Sequence, residues 1–360
     1  MIKKITIILT IIIFITGCYD YVEINNLVII SGIGIDYQND EFILTVEALY
    51  NEEINNSSDE IGKTFTASGK TLTDAFNNIS LMLDKEPYLA HLKILVISDE
   101  VANKQMNTLF DFFLRNNQIR NIFNIVVSDN ASPKEILNTT NKLFKVSSER
   151  IKNLLENNQY SNYISKNTYF KNVVSDYLSK EKNITLSSIK VDGDDLSLSD
   201  LYIFNNKKIV TRLSDNEANI LSILDNKNLR SYFKHKCDAN KYTIISVYKN
   251  NPKITISKDK FSIMNNLQAE VIENDCNINL ENNNMQKEIA NEFIKIINLD
   301  TTNLIKKLKE KNSDILGINN KYYLKYRMKN KNYFKQADFN VKTKLNINKK
   351  GLIFEVKNDN

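Results

Sequence analysis

The chain has 360 residues, of which 42% are hydrophobic and 25% are charged, and this length allows two or three domains. Its 48 basic and 43 acidic residues give a net charge of +5, which is too small and too dispersed for a dedicated nucleic-acid-binding protein. Two histidines, and three cysteines without a Cys-x-x-Cys pair, argue against a zinc finger and against a disulfide-scaffold protein.

The N-terminus has the pattern of a secretory signal peptide. Lys3 and Lys4 precede an apolar run over residues 5–15, which is too short for a membrane span of about 20 residues. No later stretch reaches that length without charges, so we expect no transmembrane segment.

The signal peptide ends in Ile15-Thr16-Gly17-Cys18, which resembles the lipobox of bacterial lipoproteins. This resemblance implies cleavage after Gly17 and a covalent diacylglycerol on Cys18, and we expect no other cofactor. Two acyl chains hold a protein firmly at a bilayer, whereas one chain holds it only marginally. The alternative is a signal peptide that ends beside a cysteine by chance.

Strand and helix patterns alternate in the first half of the chain. The apolar, β-branched residues 27–36 and 41–49 flank a short polar turn and predict a hairpin, and the polar residues 51–60 predict a loop. The later segments predict strands at 65–67, 92–98 and 122–128, and helices from Thr71, over 106–114 and from Ser132. This alternation is typical of a sheet covered by helices.

In the second half, the periodicity weakens over residues 138–182, and Asp192-Gly193-Asp194-Asp195 is the best candidate for a domain boundary. The segments that follow predict strands at 201–204, 207–210, 242–248, 253–257, 267–274, 339–347 and 352–356, and helices at 217–224, 285–297 and 302–311.

Together these patterns predict a mixed, multi-domain α+β fold. We expect mixed sheets covered by helices on one face, and a C-terminal antiparallel sheet packed by long helices. The predicted divisions are a signal peptide at 1–17, an N-terminal domain at 18–190 that could divide near 130, and a C-terminal α+β domain at 197–360.

The residue types needed for catalysis occur without a catalytic pattern. No Gly-x-Ser-x-Gly motif is present, and the only other histidine is far from His91 in sequence, so a structural role for His91 is favoured. Arg115 and Arg120 could clamp a partner's carboxylate, although an intramolecular salt bridge is the favoured reading. We therefore predict that the protein is not an enzyme.

His235, Cys237, Asp238 and Cys276 are metal-ligand types, but their spacing does not suit a tetrahedral site, and we predict no metal. A Cys237–Cys276 disulfide and two buried free thiols remain equal alternatives. The basic residues within 306–311 and 325–331 could attract anionic headgroups, but solvated faces are the default interpretation.

Several stretches resemble the Ger(x)C family of spore-germination lipoproteins. The first is Gly17-Cys18-Tyr19-Asp20-Tyr21-Val22-Glu23-Ile24-Asn25-Asn26-Leu27 followed by Ser31-Gly32-Ile33-Gly34-Ile35-Asp36, with Tyr19 where the family usually has Trp. Residues 90–98, 111–120 and 314–317 resemble the family's His-x-Lys strand, arginine-bearing helix and Asp-x-x-Gly turn. Asp200 and Thr211-Arg212 depart from the family, which usually has glycines there.

This resemblance implies a lipid-anchored, non-enzymatic subunit of a germinant receptor on the outer face of the spore inner membrane. Such C subunits act beside an A subunit and a polytopic B subunit in the response to small-molecule germinants, without nucleic acid. His91, Lys93, Arg115 and Arg120 would then be partner or structural contacts. The alternative is a solute-binding lipoprotein of a transporter, although the second half lacks the repeated βαβ pattern of that class. A lipid-anchored hydrolase would need a nucleophile and a base that the sequence does not offer.

Overall fold

The computed structural model describes residues 23–349 except 55–56, 142, 159–168, 180–182, 206–207 and 226–229. The described strands form a larger sheet of nine strands and a smaller sheet of four. The larger sheet contains β1 (Leu27–Gln38), β2 (Glu41–Ile54), β3 (Ser57–Gly69), β4 (Glu86–Tyr88), β5 (Ile94–Ile97), β6 (Asn124–Asp129), β7 (Thr185–Asp192), β8 (Asp195–Asn205) and β9 (Lys208–Leu213). The smaller sheet contains β10 (Ser231–Asp238), β11 (Lys241–Ile256), β12 (Lys260–Asn274) and β13 (Asp338–Lys349).

Ten α-helices lie within the described residues. They are α1 (Leu72–Ser80), α2 (Asp99–Lys104), α3 (Met106–Arg115), α4 (Pro133–Asn138), α5 (Ser147–Asn158), α6 (Phe170–Ser179), α7 (Asp215–Leu224), α8 (Asn283–Glu310), α9 (Ile318–Tyr326) and α10 (Tyr333–Gln336).

The larger sheet has a parallel centre with antiparallel flanks. Its strand order is β3-β2-β1-β5-β6-β7-β8-β9, with β4 paired beside β1. Strands β1, β5, β6 and β7 run parallel, while β2 and β3 continue one side and β8 and β9 the other side in antiparallel pairs. Because parallel strands are usually buried on both faces, the nearly continuous apolar run of β1 suits its central place. The predicted β1–β2 hairpin is confirmed.

Helices cover both faces of the parallel centre, whereas the sequence predicted one covered face. On one face, Ile94 and Val96 of β5 share a core with α4 and α5. On the other face, Leu95 and Ile97 share a core with α1, α2, α3 and α6. The connections between parallel strands must cross over the sheet, and these helices bury the apolar side chains that point to each side.

The prediction of a loop at residues 51–60 is wrong. The structure pairs β2 with β3 along this stretch, with Tyr50 opposite Ile61 and Glu52 opposite Asp59. Strands can pair through their backbones without apolar side chains. Because this part of β2 and β3 carries mostly polar residues, its sequence lacks the apolar–polar alternation from which a strand is predicted.

The predicted boundary at residues 192–195 is a tight hairpin between β7 and β8, with Gly193 at φ 63°. Strands β8 and β9 continue the larger sheet, so the two sheets divide after Leu213. The division of domains between residues 190 and 197 stays a prediction. Helix α7 follows and is buried from Ala218 to Leu224 in a core shared with β8, β9 and the smaller sheet.

The smaller sheet is packed on one face by the long helix α8, as predicted, but three details differ. Strand β11 is one continuous 16-residue strand where two were predicted, and α8 is one 28-residue helix where two were predicted. Strand β13 runs parallel to β12, so only the β10–β12 part is antiparallel. The strand predicted at 352–356 lies outside the described residues.

Candidate functional site

The predicted attachment residues Gly17 and Cys18 lie outside the described part of the chain, which begins at Glu23. From there a single 3-10 turn, Ile24–Asn26, leads directly into β1. A segment of five residues spans at most about 18 Å, so a lipid on Cys18 would hold this entry to β1 close to a bilayer. None of the described helices has the length and apolar character needed to cross a membrane.

His91 and Lys93 precede β5 and have different surroundings. The His91 side chain is exposed, and its ring centroid lies 5.7 Å from that of Tyr88. The Lys93 ammonium group forms a salt bridge with Glu149 of α5, and its backbone N–H donates to the carbonyl of Ser31 at 2.9 Å. Lys93 therefore ties β1 and α5 together, whereas nothing in the described structure gives His91 a catalytic partner.

Arg115 and Arg120 are both exposed. The Arg115 Nε donates to Asp111 Oδ1 at 2.7 Å, one turn earlier in α3, which is the intramolecular pair that the sequence favoured. No carboxylate within the described ranges pairs with Arg120, which lies in the loop before β6. In the described structure, no hydrogen bond, salt bridge or ring contact joins any two of the four candidate side chains.

A charged cluster that the sequence did not predict lies at the carboxyl ends of β5 and β6. Arg212 of β9 donates from Nη1 to Asp129 Oδ1 at 2.9 Å and from Nη2 to Asp99 Oδ2 at 3.1 Å. The guanidinium carbon lies 4.4 Å from the ring centroid of Tyr202, and Ser199 donates to Asp129 at 2.7 Å. Burial raises the pKa of Asp99, and the charge of Arg212 opposes that rise.

This cluster occupies the place where open α/β sheets usually bind ligands, which is the crevice outside the carboxyl ends of the parallel strands. Here Asp99 and Asp129 share a single guanidinium, that of Arg212, and Tyr202 packs beside it. The residues are therefore arranged to join β9 to β5 and β6. Within the described residues, Asp99 Oδ1 is buried and has no hydrogen-bond partner.

A buried carboxylate holds the first turn of α5. Glu47 of β2 is fully buried and accepts from the backbone N–H groups of Ser147 at 2.7 Å and Ser148 at 3.0 Å, and from Ser31 Oγ at 3.0 Å. A carboxylate at a helix N-terminus satisfies N–H groups that have no partner within the helix. Burial nevertheless dominates and raises the pKa of Glu47. An added Cβ on Gly62 would lie 2.6 Å from Glu47 Oε1, so the site requires glycine at that position.

The Asp-x-x-Gly turn joins the end of α8 to the larger sheet. Buried Asp314 accepts from the backbone N–H of Ile318 at 2.8 Å and of Asn319 at 2.7 Å, which caps α9. Its own N–H donates to Asn183 Oδ1 at 3.1 Å, and Asn183 Nδ2 donates to the carbonyl of Phe204 at 2.7 Å. The motif therefore fixes how the two halves of the chain meet.

Of the two alternatives for the cysteines, the structure contains the disulfide Cys237–Cys276, with Cα atoms 6.1 Å apart. Within the described ranges no group of three or more His, Cys, Asp or Glu side chains could hold a metal ion. Part of the basic region is engaged internally, since Lys307 pairs with Glu217 at 2.7 Å and Lys325 donates to the carbonyl of Ile256.

Both halves of the chain match models of one protein family. The model described as "Spore germination protein N-terminal domain" matches residues 20–191, and the model described as "Spore germination B3/ GerAC like, C-terminal" matches residues 199–351. The structure is similar to the crystal structure of the GerBC protein, with a TM-score of 0.58 and 16% sequence identity. The superposed region covers 88% of this chain and 96% of that one. This likeness confirms the two-domain α+β fold.

Similar proteins include Spore germination protein A3 of Bacillus subtilis (strain 168), 24% identical over 72% of this chain and 70% of that protein. Spore germination protein GerQC of Bacillus cereus is 23% identical over 71% of this chain and 72% of that protein. The match to Spore germination protein KC of Bacillus subtilis (strain 168), 23% identical, spans only 40% of this chain and 38% of that protein. The chain belongs to the GerAC-like family of spore germination proteins.

Proposed function

We propose that the protein is a lipid-anchored, non-enzymatic subunit of a spore germinant receptor and is required for the response to small-molecule germinants. Its anchor would be a diacylglycerol on Cys18, at the outer face of the spore inner membrane. Its partners there would be the receptor's A subunit and its polytopic B subunit.

The observation that carries this proposal is the match of both halves of the chain, in order, to the two domains of one germination family. A structural role for the acids at the strand ends is consistent with this proposal, because Asp99 and Asp129 both form salt bridges with Arg212. The alternative of a solute-binding lipoprotein gains no support from the smaller sheet, because β10, β11 and β12 form an antiparallel meander where that class has a second parallel lobe.

Co-purification from spore membranes tests the proposal. The full-length chain would carry a C-terminal affinity tag and would be expressed at its native level, extracted in mild detergent and analysed by mass spectrometry. We expect recovery together with an A and a B subunit encoded beside it. A tagged lipoprotein from the same membrane, unrelated in sequence, is the control. Recovery with the ATP-hydrolysing subunit of a transporter, and without receptor subunits, would refute the proposal in favour of the alternative.

A further inference from the structure

In the described part of the chain, one face of the smaller sheet is packed in a core, and the residues of the opposite face are exposed or partly exposed. Alternate residues of β12, such as Phe261, Ile263 and Leu267, point into the core shared with α8. The strand registers place the intervening residues in four rows across β11, β12 and β13 on the opposite face. These rows are Lys249–Gln268–Asn346, Asn251–Asn266–Lys344, Lys253–Met264–Lys342 and Thr255–Ser262–Asn340. We call these twelve residues the lysine–amide face.

All the charged side chains among the twelve residues of the lysine–amide face are positive. Lys249, Lys253, Lys342 and Lys344 are all exposed, and the four rows contain no Asp or Glu. Within the described part of the chain, none of these four lysines forms a salt bridge. Lys253 and Lys342 flank Met264, so their backbones lie two strand spacings apart, or about 10 Å. That separation is close to the screening length at physiological ionic strength, so the charges act partly together.

The same face offers hydrogen-bonding groups at fixed positions. A shallow depression of about 360 Å³ is lined largely by Lys249, Lys344 and the amide side chains of Asn251, Asn266, Gln268 and Asn346. Amide groups can both donate and accept, and those on neighbouring strands lie about 4.8 Å apart. Positive charge combined with such a regular amide array is complementary to an ordered, negatively charged partner.

A protein partner fits this face better than a bilayer does. Surfaces that lie in a membrane interface usually combine basic residues with Trp, Phe or Leu side chains that enter the acyl region. None of the twelve positions carries an exposed large apolar side chain, and Met264 at the centre is only partly exposed. Mobile headgroups would also make little use of fixed amides. An acidic polypeptide would use both the lysines and the amides.

We propose that the lysine–amide face docks a segment of a partner protein that carries several Asp or Glu side chains. The inference rests on the proposed function only in the expectation that this partner is another receptor subunit. Its chemistry follows from the face itself: carboxylates pair with the four lysines, and the partner's backbone or side-chain amides pair with the amide array.

Site-specific crosslinking in spores tests this inference. A photo-crosslinkable residue at position 266 of the full-length chain would be activated in isolated spore membranes, and the crosslinked peptide would be sequenced. The test variant is Lys249→Glu with Lys344→Glu, which reverses two charges on the face. The matched control is Lys134→Glu with Lys208→Glu, two exposed lysines on α4 and β9 in the larger-sheet half. Membrane recovery and protease resistance of each variant would confirm that it is folded and attached.

We expect crosslinks to an acidic protein segment, a yield at least tenfold lower in the test variant, and a change of less than twofold in the control. Three results would overturn the inference: no protein crosslink at position 266, crosslinks only to lipid, or equal losses in both variants. Failure of the proposed function is distinct, because it would appear as loss of co-purification with receptor subunits whatever the state of this face.

Discussion

Removal of the Glu47 carboxylate should loosen the start of α5. In Glu47→Ala the backbone N–H groups of Ser147 and Ser148 lose their acceptor, while Ser31 Oγ keeps a bond to the backbone carbonyl of residue 47 at 3.3 Å. A buried donor without a partner costs about 1–3 kcal/mol, so two of them predict a loss of about 2–6 kcal/mol in the local free energy of unfolding. The matched variant Glu47→Gln keeps the volume and one acceptor, and should lose about 1–3 kcal/mol.

Hydrogen exchange measured by mass spectrometry on peptides that cover residues 145–152 is the direct assay. A loss of about 3 kcal/mol corresponds to roughly 150-fold faster exchange from the locally opened state, and a loss of about 1.4 kcal/mol to tenfold. We expect Glu47→Ala to accelerate exchange in this peptide far more than Glu47→Gln does. Peptides from β12 should be unaffected in both variants. If Glu47→Ala exchanged at the wild-type rate, Glu47 would not be what holds this helix.

The pH dependence of this effect has a definite sign. Because burial raises the pKa of Glu47 above its usual value of 4.5, the folded state holds the proton more tightly than the unfolded state does. The stability linked to that proton is complete below about pH 4.5 and is lost as the pH rises through the folded-state pKa. Glu47→Gln cannot titrate, so its stability relative to wild type should improve between pH 4 and pH 7.5. If the stability of Glu47→Gln relative to wild type stayed constant or fell over this pH range, the raised pKa of Glu47 would be contradicted.

Three further predictions concern stability. Gly62→Ala should lower the free energy of unfolding by about 1–3 kcal/mol and therefore lower the Tm, because the added Cβ would displace the Glu47 carboxylate. An unchanged Tm would contradict the close approach of Gly62 to Glu47. Arg212→Ala should lower the free energy of unfolding by about 1–2 kcal/mol. It should also raise the pKa of Asp99 further, because that acid loses the positive charge beside it. NMR titration of the Asp99 carboxyl carbon measures this pKa, and an unchanged value would refute the prediction. Cys237→Ser should cost about 4 kcal/mol from a 39-residue loop, measured by urea unfolding, and an unshifted midpoint would show that the bridge adds nothing.

Features set by neighbouring residues were the ones that the sequence could predict. Ser132, Pro133 and Glu135 form the expected helix start, and the backbone N–H of Ser132 donates to Glu135 Oε2 at 2.7 Å. Thr71 and Asp74 likewise form a capping box at the start of α1. Each signal lies within four residues, so it can be recognised without knowledge of the fold.

The buried polar contacts could not be predicted in this way, because their partners are distant in sequence. Glu47 bonds to residues 100 and 101 positions away, and Arg212 to acids 83 and 113 positions away. In sequence, Glu47 has the appearance of a solvent-facing residue of an alternating strand, and Arg212 that of a surface arginine. Their roles follow from strand order, which hydrophobic periodicity does not determine.

Interrupted patterns explain the two elements that were wrongly divided. Lys249 to Pro252 interrupt the apolar alternation of β11, but a bulge between Val247 and Lys249 lets the strand continue, with Pro252 paired opposite Asn265. Asp300 and Thr301 interrupt the apolar face of α8 in the sequence. Thr301 is nevertheless fully buried, and the helix continues without a break to Glu310. In both cases tertiary packing, and not local propensity, sets the length of the element.

Replacement of the predicted lipid-bearing side chain tests the central claim most directly. Spores that carry Cys18→Ala as their only copy would be fractionated, checked for signal-peptide removal, and challenged with the germinants of the receptor encoded beside this chain. The account predicts that the processed variant leaves the membrane fraction and that these spores no longer respond. A processed variant that stays in the membrane fraction, in spores that germinate at the wild-type rate, would contradict it.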